Sequence, residues 1–374
     1  METASQTTAP GSSWRVIVHS LADAGAGLVG ALREISPLPE SRLAEILYQA
    51  PSELLQGLDR ASAERLSGLL RETGLDSRVL SAEESFEPGD ADHEVALVVR
   101  EPARMTEVAA RIVELLGVSP ERARQILWAS PTVLLGRISA STAADIRRRF
   151  TALSGVEVDV SQASLATFDL FLGEGPATDR ARVLATLREL GCTEASRGAG
   201  PLLASGLSHD TAGALWRRLG RTSLPLRILN RDFERFDVRL EQATATPELA
   251  AFLVETSGMP AEVAAQVPAR TPIVTHANVP FRRLADLLEG FAGRGARATG
   301  QLLAFQAFAL KVLAVGDRSA SLTRLGSLTR LSEREARAVL VPGGRVHGPL
   351  TAPQARWLQW ELRQVGTETA LELR

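Results

Sequence analysis

One pattern is written five times along this chain, and it sets the size of the unit that can fold. A proline is followed several residues later by Gly, Arg or Asn, then by an apolar residue, then by apolar positions at helical spacing. The first copy reads Pro51, Gly57, Leu58, Ala63, Leu66, Leu70, and the second Pro131, Arg137, Ile138, Ala143, Ile146, Phe150. The third, one residue tighter after its proline, is Pro201, Gly206, Leu207, Ala212, Leu215, Leu219. The fourth is Pro272, Asn278, Val279, Leu284, Leu287, Phe291; the fifth, one residue looser, is Pro342, Gly348, Leu350, Ala355, Leu358, Leu362. Self-similarity at a spacing of roughly 70–80 residues marks tandem modules, not one large domain.

The second copy is the most legible. Residues 94–99 are short, β-branched and apolar, which suits a strand. Val108, Ile112, Val113 and Leu116 follow at helical spacing, and Gly117 ends that helix with a residue suited to a left-handed cap. Ser119, Pro120 and Glu121 open a second short helix, carrying Ala123, Ile126 and Leu127 inward. Residues 133–138 are extended, and Ser139 caps a third helix whose inward face is Ala143, Ile146 and Phe150. Val156, Val158 and Val160 then alternate with Glu157 and Asp159, as a strand with one buried face does.

The predicted fold class is therefore α+β. It comprises five tandem βααβαβ repeats of about 65–70 residues, helices on one face of a small sheet, strung into an elongated semi-rigid array. The expected boundaries are a disordered tail over 1–13, then repeats at 14–80, 94–160, 167–229, 235–303 and 307–373. Opening strands are expected at 16–18, 94–99, 168–172, 236–240 and 308–312, and closing strands at 77–80, 156–160, 224–229, 297–303 and 369–373. In the third repeat, residues 193–200 have little apolar content, so a loop is expected where the second helix would be. The acidic stretch 81–93 contains Pro88 and Gly89 and is expected to be a flexible joint, leaving the first repeat more loosely attached.

Composition narrows the function. The chain has 374 residues, of which 45% are hydrophobic, and no apolar run approaches the roughly 18 residues that cross a bilayer. The polar first 13 residues lack the basic start and apolar stretch of a signal peptide, so a cytoplasmic location without membrane insertion is expected. A net charge of −2 supplies no general attraction to nucleic acid, and none is expected as a partner. Lys311 is the single lysine, and the arginines are dispersed among carboxylates. Cys192 is the single cysteine, which excludes an internal disulfide framework.

The βααβαβ order, with Pro51-Ser-Glu-Leu-Leu-Gln-Gly57-Leu58 and the helix-like run from Asp59 to Gly74, resembles the C-terminal domain of the bacterial ribosomal stalk protein. Phe168-Asp-Leu and Phe236-Asp-Val are similar to that family's first strand. The likeness covers the five copies, most specifically the first two. It implies a bacterial protein-binding module, because the family recruits translational GTPases through a Lys-Glu-Ala-Lys stretch opening its second helix. Here the corresponding runs are Glu121-Arg122-Ala123-Arg124 and Arg334-Glu335-Ala336-Arg337. The first keeps only the last basic position, and the second carries arginine for lysine. The glycines before that helix are mostly gone, and the stalk's dimerising helices and hinge are missing. The same fold serves the adaptor that delivers proteins with destabilising N-termini to a bacterial protease, whose acidic and histidine-lined pocket has no counterpart after Val18 or Val99.

Residues for catalysis are sparse. His19, His93, His209, His276 and His347 lie far apart in sequence, and none has metal-ligand spacing. His276 and His347 read as solvent-exposed turn histidines. Carboxylates sit among arginines three or four residues away, as on solvated helix faces. No catalytic residue, cofactor or metal is therefore expected. The aromatic residues point elsewhere. Trp357 and Trp360 lie on the last helix, where Leu358 and Leu362 face the core and Trp360 should be largely exposed; Trp128 and Trp216 flank their helices similarly. Tryptophan beside arginine is typical of protein interfaces. The expected function is a non-catalytic multivalent scaffold or adaptor, contacting protein partners through Arg122, Arg124, Arg334, Arg337, Trp357 and Trp360. Its partner would itself be oligomeric, or a GTPase recruited by the second helices of copies two and five; a protease adaptor is the third reading.

Overall fold

The first strand of each set pairs with two others, and this pairing organises the chain. A computed structural model describes residues 13–25, 27–35, 38–173, 176–192 and 201–374. Residues 1–12 of the tail expected over 1–13, and the loop expected at 193–200, lie outside the described residues. The first set of elements is β1 (Trp14–Ser20), α1 (Gly27–Ile35), α2 (Glu40–Tyr48), β2 (Ser52–Leu58), α3 (Arg60–Glu72) and β3 (Asp76–Ser81). The second is β4 (His93–Val99), α4 (Met105–Leu116), α5 (Pro120–Trp128), β5 (Thr132–Ile138), α6 (Ala140–Thr151) and β6 (Val156–Gln162). Next come β7 (Thr167–Leu172), α7 (Ala177–Glu189), β8 (Leu202–Ser208), α8 (His209–Leu219) and β9 (Leu226–Asn230). They are followed by β10 (Arg235–Gln242), α9 (Pro247–Ser257), α10 (Ala261–Gln266), β11 (Ile273–Pro280), α11 (Phe281–Ala292) and β12 (Arg297–Leu302). The last are β13 (Ala307–Ala314), α12 (Arg318–Leu328), α13 (Glu333–Val339), β14 (Arg345–Thr351), α14 (Ala352–Gln364) and β15 (Glu368–Leu373).

The result is a mixed α/β protein with small three-stranded sheets. Their orders are β2-β1-β3, β5-β4-β6, β8-β7-β9, β11-β10-β12 and β14-β13-β15, so the first strand of each set is always central. The Gly, Arg or Asn of the sequence pattern has a structural reason. Gly57, Arg137, Gly206 and Asn278 all have positive φ, at 77°, 59°, 69° and 57°. Gly57, Gly206 and Asn278 each lie in a bulge between the first and second strands of their set. Trp14 and Val16 face Leu58 and Leu55; Phe168 and Leu170 face Leu207 and Ala204; Phe236 and Val238 face Val279 and His276. A left-handed residue inserts the extra position and bends the strand. In the last sheet Phe308 and Leu310 face Leu350 and Val346, so the one-residue looser spacing of the fifth copy is absorbed as a wider bulge.

Two residues past the left-handed position a helix cap follows. Asp59, Ser139 and Ser208 each accept the backbone N–H of Ser62, Thr142 and Thr211 through the side chain, and Thr351 accepts that of Gln354. The helices that follow bury the apolar stripe read from the sequence: Ala63 and Leu70, Ala143, Ile146 and Phe150, Ala212, Leu215 and Leu219, Leu287 and Phe291, and Ala355, Leu358 and Leu362. Three of the sheets have separate apolar cores, centred on Val16 and Val18, on Leu170 and Leu172, and on Val238 and Leu240.

The chain divides into two compact units. One holds residues 1–95, 106–123 and 134–154, the other 96–105, 124–133 and 155–374. In the first, the turn after β1 is clamped by α6. Asp145 accepts the N–H of Ala22 at 2.8 Å, and Arg149 donates through Nε to the Ala22 carbonyl at 3.0 Å and through Nη2 to that of Ala24 at 2.8 Å. The Ser141 hydroxyl donates to the Ala50 carbonyl at 2.6 Å. The first set is thus tightly held to α6, correcting the looser attachment expected. The acidic joint is also anchored, since the Gly89 N–H donates to the Pro51 carbonyl at 2.7 Å. A Cβ at Gly89 would lie 2.4 Å from the Gln49 carbonyl oxygen, so the segment approaches too closely for a side chain.

In the second unit, contacts join elements far apart in sequence. The Thr351 hydroxyl donates to the Trp128 carbonyl at 2.5 Å, and Arg356 Nη2 donates to Asp237 at 3.0 Å. A linear array in which each module meets only its sequence neighbours would lack the first of these bonds. The linear expectation is corrected here: the polar cap of α14 finds a carbonyl on α5, which adjacency in sequence does not encode.

The bulge geometry predicts opposite signs for two substitutions at equivalent positions. Gly57→Arg should destabilise the chain by about 0.5–1 kcal/mol, because the resistance of an L side chain to positive φ outweighs the unfolded-state freedom lost with the glycine. Arg137→Gly should stabilise by about 0.5–1 kcal/mol, after the greater unfolded-state freedom of glycine is subtracted. Urea denaturation of both variants checks this; the same sign for both would remove the bulge as the reason for the pattern.

Candidate functional site

The last helix, α14, is buried over more of its circumference than its sequence suggests. Ala352, Gln354, Ala355, Trp357, Leu358, Glu361 and Leu362 are all buried. Trp357 is only 3% exposed, and its indole N–H donates to Glu361 at 3.3 Å. Glu361 in turn pairs with Arg324 of α12 at 3.2 Å. Trp357 is therefore a core residue, because α12 covers the arc it occupies, and the surface expected of it is absent. Trp360 is half-buried instead of largely exposed. It lies with Arg356, Gln359 and Arg363, at the i, i+3, i+4, i+7 spacing of one helix face.

That face forms one wall of an open groove of about 510 Å³. Leu313, at the end of β13 and 49% exposed, lines it with Pro102 and Thr369. Gln359 donates to the Thr369 carbonyl at 3.0 Å, fixing the wall to the start of β15. The Thr369 hydroxyl is enclosed and has no hydrogen-bond partner. Arg356 is held by Asp237, a buried carboxylate that also accepts the N–H of Asn278 at 3.2 Å. The same carboxylate thus stabilises a left-handed bulge residue and positions a groove arginine. Asp169 does likewise for the N–H of Gly206 at 2.8 Å while pairing with Arg231 at 2.8 Å.

The four arginines expected at partner surfaces fall on two helices. Arg122 is exposed on α5, and its backbone N–H donates to Ser119 at 3.2 Å. Arg124 is half-buried, with an enclosed Nε that has no hydrogen-bond partner. Arg334 and Arg337 are exposed on α13, and Arg337 pairs with Glu333 one turn back. Glu335 between them caps its own helix. Its carboxylate accepts the Ser332 N–H at 2.8 Å and the hydroxyl at 2.6 Å, bonds that hold it below the usual carboxylate range. A second groove, of about 490 Å³, is lined by Gln125 and Trp128 of α5 and by Glu335 of α13. Trp128 is half-buried there, with an indole N–H lacking a partner, whereas Trp216 of α8 is 56% exposed.

Two buried titratable groups lie outside these grooves. His276 is 8% exposed on β11, not at a solvated turn, and sits between the hydroxyls of Thr256 at 2.9 Å and Thr275 at 3.0 Å. Burial pushes its pKa down to about 4. Glu234 is 2% exposed, and Oε1 has no hydrogen-bond partner. Burial, and next the charge of Asp169, raise its pKa to about 8 against the opposing pull of Arg231. Sequence periodicity missed Glu234, Asp237 and Arg356. The available signal was an aspartate inside an apolar central strand, in Phe168-Asp169 and Phe236-Asp237.

Among the described residues, no group of three or more His, Cys, Asp or Glu is placed to hold a metal, and no helix is long and apolar enough to cross a membrane. No protein family, curated protein or solved structure matches this chain.

Glu234 gives a pH dependence of definite sign. Its proton is retained in the folded chain up to about pH 8 but lost from the unfolded chain near 4.5. Its contribution to stability therefore falls as pH rises across that window and is fully lost above it. Glu234→Gln should raise stability at pH 8.5 by on the order of a few kcal/mol relative to the parent, with little gain below pH 4.5. His276 acts in the other direction, removing stability as pH falls from about 6.5 to about 4. Urea titrations at several pH values measure both; an equal gain from Glu234→Gln at pH 4 and pH 8.5 would rule out ionisation as the cause.

Proposed function

We propose that this chain is a non-catalytic multivalent scaffold or adaptor, built from five tandem βααβαβ modules like the stalk protein's C-terminal domain. The observation that carries this reading is the recurrence of one strand order in five small sheets, each with its first strand central. The recurring bulge and capped helix support it further. A unit of this size buries a modest fraction of its surface, so modules that contact one another gain stability each lacks alone. Several related outer surfaces on one chain could engage a repeated or oligomeric partner with high avidity. The α14 groove combines a half-buried tryptophan with two arginines, residue types that dominate binding energy at interfaces.

A second reading, recruitment of a GTPase through the second helices of copies two and five, draws support from one observation. Gln125 and Trp128 of α5 and Glu335 of α13, on the helices that carry Arg124, Arg334 and Arg337, line the same groove. The protease-adaptor reading rests on the resemblance in fold alone, and a shared fold does not transfer function.

Affinity capture from native lysate separates these readings. Trp360→Ala should weaken retention of protein partners at least about tenfold while lowering the Tm by only a few degrees. Unchanged retention with a large fall in Tm would assign the ring to a structural seam. Arg334→Glu combined with Arg337→Glu should abolish retention of a GTPase, and an unaffected GTPase interaction would dismiss the second reading.

A further inference from the structure

We infer that the turn between β9 and β10 is a proton-operated latch, closed while the buried Glu234 carboxyl is protonated and opened when it ionises. Nothing in this latch depends on the scaffold reading. Residues Arg231–Phe233 form a single helical turn that hands the chain from one sheet to the next. Glu234 ends this turn at 2% exposure, and its Oε1 is enclosed without a hydrogen-bond partner. Asp169 of β7, also buried, is the second carboxylate of the cluster. Arg231 serves both: its Nε donates to Asp169 at 2.8 Å, and its charge acts on Glu234.

One proton decides the charge balance. With Glu234 protonated, Asp169 and Arg231 cancel. With Glu234 ionised, two buried carboxylates share one arginine, and the surplus charge is costly so far from water. The other charged groups around the turn are committed elsewhere or exposed. On β6, Asp159 pairs with Arg235 and Glu157 with Arg100. Asp232 accepts the Ser161 hydroxyl at 2.6 Å, and Asp237 of β10 holds Arg356. Arg235 also donates to the backbone carbonyl of Glu234 at 3.4 Å. Arg282 and Arg283 of α11 are exposed. In the closed turn the Glu234 N–H donates to the Arg231 carbonyl at 3.1 Å, and the Glu234 carbonyl accepts the Phe281 N–H at 3.2 Å. Opening gives up these bonds, hydrates the ionised carboxylate and uncovers the buried Phe233.

Burial, and next the charge of Asp169, raise the pKa of Glu234 in the closed turn to about 8, against 4.5 for an ordinary glutamate. Between these values the closed turn holds a proton that the open turn lacks. The open fraction therefore rises about tenfold per pH unit across that window and levels off above it.

Hydrogen exchange of the full chain, read by mass spectrometry and corrected for the intrinsic rate at each pH, tests this. In the parent, protection over residues 231–236 should fall about tenfold per pH unit between about pH 5 and 8, then level off. At pH 8 it should lie at least about a hundredfold below the protection of β13, since the turn opens without the rest of the chain. Glu234→Gln keeps the shape of the protonated side chain and should stay protected at every pH. Asp169→Asn keeps an oxygen for the Gly206 N–H but removes a charge that helps to retain the proton. Its levelling point should move to lower pH, which keeps the test decisive if Glu234→Gln does not fold. Four results would overturn the latch: protection independent of pH in the parent, a slope that survives in Glu234→Gln, an unmoved levelling point in Asp169→Asn, or equal protection of the turn and β13 at pH 8.

Discussion

A three-stranded sheet has one face to bury, and here the helix that buries it must start from the end of the bulged second strand. The left-handed residue in that strand turns the chain so that a cap two positions later starts the helix over the central strand. Gly57 and Asp59, Arg137 and Ser139, and Gly206 and Ser208 repeat this arrangement. A register slip of one residue would send the buried side chains to the opposite face, so the bulge protects the pairing of sheet with helix. Asn278 shows that the constraint acts on the backbone, since it takes the same conformation without glycine and is followed by Pro280, which has no capping side chain. The last set meets the constraint differently, by inserting one more residue.

On this scaffold, buried charge links the sets. Asp169 and Asp237 sit in central strands, where an unpaired carboxylate would be costly. Each is satisfied by the N–H of a bulge residue and by an arginine, Arg231 or Arg356. Arg231 follows β9 and Arg356 belongs to α14, so the carboxylates hold the joints as well as the bulges. Removing one partner of such a pair is more damaging than its net contribution suggests, because the remaining charge stays buried. The groove on α14 inherits its rigidity from this arrangement: Arg356 is fixed by Asp237 and Gln359 by the start of β15.

Periodicity located the central strands and the buried faces of the capped helices, since both depend on local spacing against one sheet. It failed wherever a second surface intervened. Trp357 and Trp360 look equivalent on a helical wheel drawn against one core, yet α12 buries the first and leaves the second on a groove. His276 lies where the register of β11 shifts on both sides, so it turns inward although Val274 two residues earlier is exposed, and two threonine hydroxyls receive it. Gly89 has the composition of a tether, but close backbone approach to Gln49 ties it down.

The amino-acid sequence alone determined the order of strands and helices around each three-stranded sheet and the stripe each capped helix buries. These follow from apolar spacing and from residues that tolerate positive φ. Tertiary structure decided which segments meet inside each unit, which tryptophan stays on a surface, and which carboxylates are buried with arginines. Those outcomes depend on distant side chains arriving at the same place, and residue spacing carries no record of such encounters.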